Sequence, residues 1–325
     1  MTALFDRILE ADVGIRPHVP VSPLDMSPAL SAALGCHVLL KCEHLQPTGS
    51  FKVRGSANKV HLLNEAARRA GVITASTGNH GQGVARAGAL SGVQVTVYVG
   101  SATAPQKLAA IRALGAAVVV IDGAPIEAEL EARRQADLQG KTYISPYNDL
   151  DVVAGQGTIG VELARQAPDL AAVFVSVGGG GLISGIGTAL KRLSPGTQVI
   201  GVWPENSPCM LEAMKAGASV DTVEYPTLSD ATAGAVEVGS VTIPICGAVI
   251  DATLTVTETE IASAMRTVAQ TDRWMIEGAA GVAVAGLIKS AAAYQGRKVA
   301  AVLCGRNIAL DKFLHAVAGE SAKLT

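Results

Sequence analysis

Short runs of β-branched residues alternate along the chain with alanine-rich stretches whose apolar positions recur at helical spacing. The runs at 38–41, 72–75, 95–99, 118–121, 172–177, 199–202 and 299–303 read as strands. Between them, 81–90, 104–114, 126–139, 181–193 and 258–271 read as helices. The strands are nearly continuous in apolar residues instead of alternating. That marks βαβ units whose parallel strands are covered on both faces. The chain has 325 residues and no long linker or repeat. A single core stops growing near ~250–300 residues. The expected fold is therefore α/β, with two intertwined lobes, each a mainly parallel twisted sheet flanked by helices. In such sheets ligands bind at the loops after the carboxyl ends of the strands, which directs the search for chemistry to those loops.

Composition narrows the classes of function. Apolar residues make up 49% and charged residues 17%, as in a folded globular protein. The net charge is −2 and aromatic residues are only 3%, so neither a basic stripe nor a stacking platform for nucleic acid is expected. Mean hydropathy is +0.35, yet the longest apolar run considered, 278–288, ends at Lys289, well short of the ~18 residues of a membrane span. Charged residues Asp6, Arg7, Glu10 and Asp12 interrupt the first sixteen positions, so no secretory leader is expected there. The five cysteines form no C-x-x-C pair, which favours reduced thiols and a cytoplasmic setting. No histidine stands at zinc-ligand spacing from a cysteine pair.

Four loops carry candidate chemistry. In the first, Pro47-Thr48-Gly49-Ser50 makes a turn and Phe51-Lys52 opens a helix. A lysine after such a turn is commonly just solvated. Flanking apolar residues and tight turns instead favour partial burial here, which lowers an amine's pKa and makes it a nucleophile and base. In the second, Ser76-Thr77-Gly78-Asn79-His80 follows a strand. Its small residues allow close backbone approach to an anion such as a carboxylate. An ordinary helix cap by Ser76, Thr77 or Asn79 explains the segment equally well. The third contains Gly178, Gly179, Gly180 and Gly181 between a strand and a helix, a nest of N–H groups suited to phosphate. Counted from Gly179, a dinucleotide fingerprint would require glycine at Ser184. The fourth is a strand ending in Cys304-Gly305-Arg306-Asn307, where the thiol reads as a small buried group.

Together these segments resemble the threonine/serine dehydratase branch of fold-type II pyridoxal-phosphate enzymes, which also contains serine racemase. The likeness covers about residues 20–310. It is carried by Ser50-Phe51-Lys52-x-Arg54-Gly55, Ser76-x-Gly78-Asn79-His80 and the four glycines, in the family's order and spacing. Cysteine synthases typically have Asn-Thr-Gly where this chain has Asn79-His80-Gly81. The hydroxyectoine-utilisation dehydratases are a closer likeness. The resemblance implies a large cofactor-binding domain from 1–70 and 149–325 and a small one from 71–148. It implies pyridoxal 5'-phosphate as cofactor and a homodimer or tetramer. Lys52 would be the Schiff-base lysine and Phe51 would face the cofactor ring. Gly178 to Gly181, followed by Leu182, would hold the phosphate. Ser76, Thr77, Gly78, Asn79 and His80 would receive the substrate carboxylate, and Asn79 would also meet the ring hydroxyl. Cys304 would face the pyridine nitrogen, and Glu277 would lie near the ring.

The implied reaction is elimination. Lys52 takes the Cα proton of a small β-hydroxy amino acid, the hydroxyl leaves, and a 2-keto acid and ammonia result. A thiol at Cys304 cannot protonate the pyridine nitrogen, so the ring would be a weak electron sink and expulsion of the hydroxyl would relieve the carbanion. Two departures from the family stand out. Its cation-binding acidic positions are Trp203 and Cys209 here, so no metal is expected, although Glu205 lies close by. Thr77 keeps a hydroxyl where racemases carry serine, which leaves room for side racemisation. Racemase or β-replacement chemistry is the nearest alternative. A nucleotide-binding oxidoreductase or a non-catalytic sensor is more distant. The polar stretch 227–234 suggests a substrate bearing an extra polar or charged group, such as 3-hydroxyaspartate or hydroxy-diaminobutyrate.

Overall fold

The computed structural model describes residues 2–123 and 125–318. The closing residues of the expected large domain, 319–325, lie outside them. Ten strands run in chain order as β1 (Leu24–Met26), β2 (His37–Lys41), β3 (Val72–Ala75), β4 (Val95–Gly100), β5 (Ala117–Ile121), β6 (Thr142–Tyr143), β7 (Ala172–Ser176), β8 (Gln198–Pro204), β9 (Ala252–Val256) and β10 (Lys298–Val302). They form a six-stranded sheet in the order β1-β2-β10-β7-β8-β9 and a four-stranded sheet in the order β5-β4-β3-β6. Only β1 is antiparallel to its neighbour. All seven expected strands are present. The smaller sheet uses only strands from the segment 71–148.

The sheet centres are the most apolar. Every residue of β7, Ala-Val-Phe-Val-Ser, is buried, and β10 is buried from Val299 onward. The edge strand β9 exposes its first two residues. The apolar run that raised the mean hydropathy is the helix Gly278–Ser290, buried from Gly278 through Leu287. A methyl on Gly286 would fall 2.6 Å from the Val202 side chain, so this helix lies directly on the sheet. Among the described residues no helix is long and apolar enough to cross a membrane.

Three helices meet backbone to backbone behind the larger sheet. The helix Leu150–Gln166 is N-capped by Asp149, whose carboxylate accepts from the Asp151 and Val152 amides. A Cβ on its Gly155 would fall 2.6 Å from the Gly55 Cα of the helix Lys52–His61. A Cβ on Gly185, in the helix Gly181–Leu193, would fall 2.5 Å from the Gly157 amide nitrogen. Glycine is required at these crossings because any side chain would push the helices apart.

A buried ionic network underlies the helix Lys52–His61. Arg54 is fully buried and donates to Glu43 through Nε at 2.7 Å and Nη2 at 2.8 Å. Its Nη1 donates to Glu162 at 2.6 Å and to the Thr158 hydroxyl at 2.9 Å. Lys41 donates to Glu162 at 2.6 Å, to the Ser22 carbonyl at 2.9 Å and to Gln166 at 2.8 Å. Burial alone would raise the Glu162 carboxyl, but Arg54 and Lys41 together hold it at about 2. Arg16 also pairs with Glu162 at 2.8 Å, so three cations face two carboxylates with their hydrogen-bonding groups engaged, the arrangement that buried charge requires.

Candidate active site

The four loops singled out in the sequence converge at the carboxyl ends of the central strands. Residues 49–51 run against 304–306. Phe51 N donates to the Cys304 carbonyl at 3.0 Å, and Arg306 N donates to the Gly49 carbonyl at 2.9 Å. Gly49 has φ +75°, and a Cβ there would meet Asn307 Oδ1 at 2.7 Å, so the turn before Lys52 needs glycine. Lys52 begins its helix part-buried, with Nζ donating to the Pro146 carbonyl at 2.7 Å and lying 5.2 Å from the Phe51 ring centroid. Burial drives the amine down to about 8, with the neighbouring Cys304 and Glu277 opposing the shift.

The nest follows β7. Gly180 sits in the left-handed region at φ +82°. A Cβ on Gly178 would lie 2.9 Å from the Thr232 Cα, and one on Gly180 would lie 2.7 Å from the Cys246 sulfur. On Gly179 it would enter the Tyr147 ring. The glycines are thus needed for space as well as for conformation, and their amides stand at the head of the helix Gly181–Leu193. Leu182, in its first turn, is buried in the core beneath.

The second loop behaves differently from an ordinary cap. The helix starts at Asn79, and its cap residue, Gly78, makes no side-chain capping bond. The Ser76 hydroxyl accepts from the Gly78 amide at 3.2 Å. Asn79 turns away, donating through Nδ2 to both Glu277 oxygens at 2.9 and 3.1 Å and accepting from Asn307 Nδ2 at 2.5 Å. None of Ser76, Thr77 and Asn79 caps the helix, so no side-chain cap takes up its first amides. His80 is buried with Nε2 donating to the Ile144 carbonyl at 3.0 Å. Burial, reinforced by the charge of Lys52, holds the ring at about 3, so it is neutral. Cys304 is buried at the end of β10 and accepts from the Ser176 hydroxyl at 3.6 Å. Burial pushes its thiol far up, so it stays protonated. Glu277 is raised to about 7 by burial, against its bonds from Asn79.

An amine of lowered pKa, joined through Pro146-Tyr147 to a loop of four glycines at the head of a helix, fits a phosphorylated aldehyde cofactor. Comparison with known proteins decides the matter: the family model described as "pyridoxal-phosphate dependent enzyme" matches residues 15–305. The chain belongs to this family. It is 38% identical over 301 residues to an L-threonine ammonia-lyase from Thermotoga maritima, covering 93% of this chain and 75% of that protein. It is 35% identical over 298 residues to an L-threo-3-hydroxyaspartate ammonia-lyase from a Pseudomonas species, covering 92% and 93% respectively. The solved structure of the processed form of threonine deaminase isoform 2 from Solanum lycopersicum superposes with a TM-score of 0.93 at 34% identity, covering 98% of this chain and 94% of that one.

In this pyridoxal-phosphate-dependent enzyme the stretch 227–234 borders the nest and Glu277. Leu228 N donates to Glu258 at 2.7 Å, and a Cβ on Gly278 would enter the Leu228 carbonyl. Ser229 and Thr232 share a hydrogen bond of 2.6 Å between their hydroxyls. The hydroxyls that made this stretch look like a polar pocket therefore hold its own shape, and Asp230 remains as an exposed charge whose field helps raise Glu277. At the family's cation-binding place, Trp203 is fully buried, and Glu224 accepts from the Ser207 hydroxyl and, at 2.8 Å, from the Gly234 amide. Among the described residues no group of three potential ligands is assembled.

Sequence reasoning missed Pro146 and Tyr147 and gave no role to Asn307 of the fourth loop, yet all three touch predicted site residues. The Ser145-Pro146-Tyr147-Asn148 turn has the composition of a loop at a strand end, which is the signal that could have found it. The Lys52 environment also has a kinetic consequence. Only the neutral amine attacks an aldehyde, so capture of pyridoxal phosphate by the cofactor-free protein should accelerate as pH rises through about 8 and level off above it. A stopped-flow profile still rising near 10, as for a solvated lysine, would contradict that environment.

Proposed function

We propose that this protein is an ammonia-lyase that converts a small β-hydroxy amino acid into a 2-keto acid and ammonia by α,β-elimination. The observation that carries the reading is the placement of Lys52, whose amine meets the Pro146 carbonyl next to the Tyr147 ring that lies on Gly179 of the nest. Residues 1–70 and 149–325 would be the large domain and 71–148 the small one, in a cytoplasmic homodimer or tetramer.

Gly178 to Gly181 would hold the cofactor phosphate and Lys52 would carry its aldehyde carbon, with Phe51 against the ring. When bound, the group supplies an electron sink that acidifies the Cα–H of an amino acid. The amides at the start of the helix Asn79–Ser91, with Ser76, Thr77 and Gly78, would receive the substrate carboxylate. Asn79, whose side chain is held by Glu277 and Asn307, would meet the ring hydroxyl. Lys52 Nζ would remove the Cα proton; with its amine near 8, much of it is in the basic form at mildly alkaline pH. A protonated Cys304 thiol would offer the ring nitrogen a weak hydrogen bond and no proton, which would favour loss of the β-hydroxyl. The relatives named for threonine and hydroxyaspartate ammonia-lyase activity support the same reaction class. The Thr77 hydroxyl supports a minor racemisation.

The test is incubation of the purified holoenzyme with L-threonine, L-serine and L-threo-3-hydroxyaspartate. Keto acid and ammonia in equal amounts are expected, whereas D-isomer as main product would defeat the proposal. Asp230 sets the expected preference. An exposed charge interaction is worth ~0.2–1 kcal/mol, so Asp230→Asn should raise kcat/KM for 3-hydroxyaspartate relative to threonine about two- to fivefold. An unchanged ratio would remove Asp230 from the specificity argument.

A further inference from the structure

The segment Ser145–Asn148 crosses from the smaller sheet to the larger one and makes contacts on both sides. Its Pro146 carbonyl holds the Lys52 amine at 2.7 Å. The Tyr147 ring lies on the Gly179 backbone, and its Cβ would be 3.0 Å from a Cβ on Gly181. Tyr147 is in turn held by Glu237, whose amide donates to the Tyr147 hydroxyl at 2.9 Å. The Glu237 carboxylate accepts from Asn148 Nδ2 at 2.8 Å and from the Ser145 hydroxyl at 3.4 Å. It also pairs with Arg133 at 2.7 Å. Arg133 belongs to the helix Pro125–Gln139, whose Ala128, Ala132 and Ala136 pack on the smaller sheet, and its guanidinium lies 4.3 Å from the Tyr143 ring centroid. Asn148 Oδ1 accepts from the Val241 amide at 2.9 Å, and the adjacent Thr242 hydroxyl donates to the Gly179 carbonyl at 2.7 Å.

We propose that Glu237 is a positioning residue for the phosphate nest. It acts through the Ser145–Asn148 segment and Tyr147, and Arg133 makes its placement depend on contact between the two sheets. Glu237 does not touch the nest. It fixes the segment whose aromatic ring walls Gly179 and Gly181 and whose carbonyl faces the Lys52 amine. The consequence is that retention of the cofactor depends on an ion pair outside the reacting centre. This inference rests on the cofactor reading above.

Retention of pyridoxal phosphate by the holoenzyme separates the two ideas. The wild type should show a visible cofactor absorption band that survives dilution and gel filtration. Its complete absence would sink the cofactor reading itself. Given that band, Glu237→Ala should weaken cofactor affinity about tenfold or more, the scale of losing hydrogen bonds to a charged group. Glu237→Gln and Arg133→Gln should each weaken it about threefold, and activity should recover in excess cofactor. The double variant of Arg133→Gln and Glu237→Ala should be no worse than Glu237→Ala alone, because Arg133 acts through Glu237. The thermal midpoint of the cofactor-free protein should be unmoved by Glu237→Gln. Arg134→Gln, whose arginine pairs with Glu131 on the same helix, should leave retention unchanged. Wild-type retention in Glu237→Gln and Arg133→Gln would overturn the proposal even were Glu237→Ala to fold poorly. Fully additive effects in the double variant would overturn the role of Arg133.

Discussion

Replacing Lys52 with alanine is expected to lower turnover by about 10⁴-fold or more, since the change would remove both the proposed covalent anchor and the proposed base. The glycine nest is untouched, so the variant should still bind pyridoxal phosphate noncovalently and keep its fold. Borohydride reduction followed by peptide mapping should fix the cofactor to Lys52 in the wild type and to no lysine in the variant. Lys41 and Lys59 are poor substitutes, because the first is buried in the ionic network and the second is paired with Asp149 and Asp151. A label on another lysine, or activity within tenfold of the wild type, would end the assignment.

The second large effect is on stability. Arg54→Met should cost about 3–5 kcal/mol, the scale of removing one partner from a buried charge cluster. Glu43 would then lose its bonded cation, while Glu162 would keep Lys41 and Arg16. Arg54→Lys should lose less, since it keeps the charge but not the forked donors that reach both carboxylates. The sign of the pH dependence follows from Glu162. Its carboxyl is held at about 2 in the folded protein, below its unfolded value of ~4.3. The network's contribution is therefore present above the unfolded value and is lost as pH falls through the folded one. In Arg54→Met the share of that depression owed to Arg54 is removed, so the deficit against the wild type should be largest near neutrality and shrink as the carboxylates protonate. Urea unfolding at neutral and acidic pH measures it, and a pH-independent deficit would show that lost packing, not charge, dominates.

Much of this architecture was legible in the chain. The buried central strands announced themselves by continuous β-branched runs, because both their faces are covered. What escaped was governed by tertiary context. The helix Leu150–Gln166 carries Gly155, Gly157 and Gly160, which lower helix propensity, yet those residues are what allow its neighbours to pack so closely. The strand β9, Ala-Thr-Leu-Thr-Val, is a half-exposed edge with polar alternation, and β6 is only two residues long. The loops of the candidate site were recognisable from residue type alone, because glycine and small hydroxyl residues cluster where backbone must approach a ligand. Their supports were not. Nothing local in the sequence brings Tyr147 to Gly179, Glu237 to Arg133, or Asn307 to Asn79, since each pair is joined only by the folded sheets. In the stretch 227–234 the sequence could not tell which polar groups bond to one another, as Ser229 and Thr232 do, from the one left exposed, Asp230.

The two glycine crossings on the helix Leu150–Gln166 have a broader implication. They seat the element bearing Lys52 and the element headed by the nest on one shared spine, with no adjustable side chain interposed. The spacing between the Lys52 helix and the helix headed by the glycine loop is thereby set by main-chain contact. Exchange of the exposed residues around Asp230 would then alter which amino acid is accepted while the spacing of these two helices stays as it is.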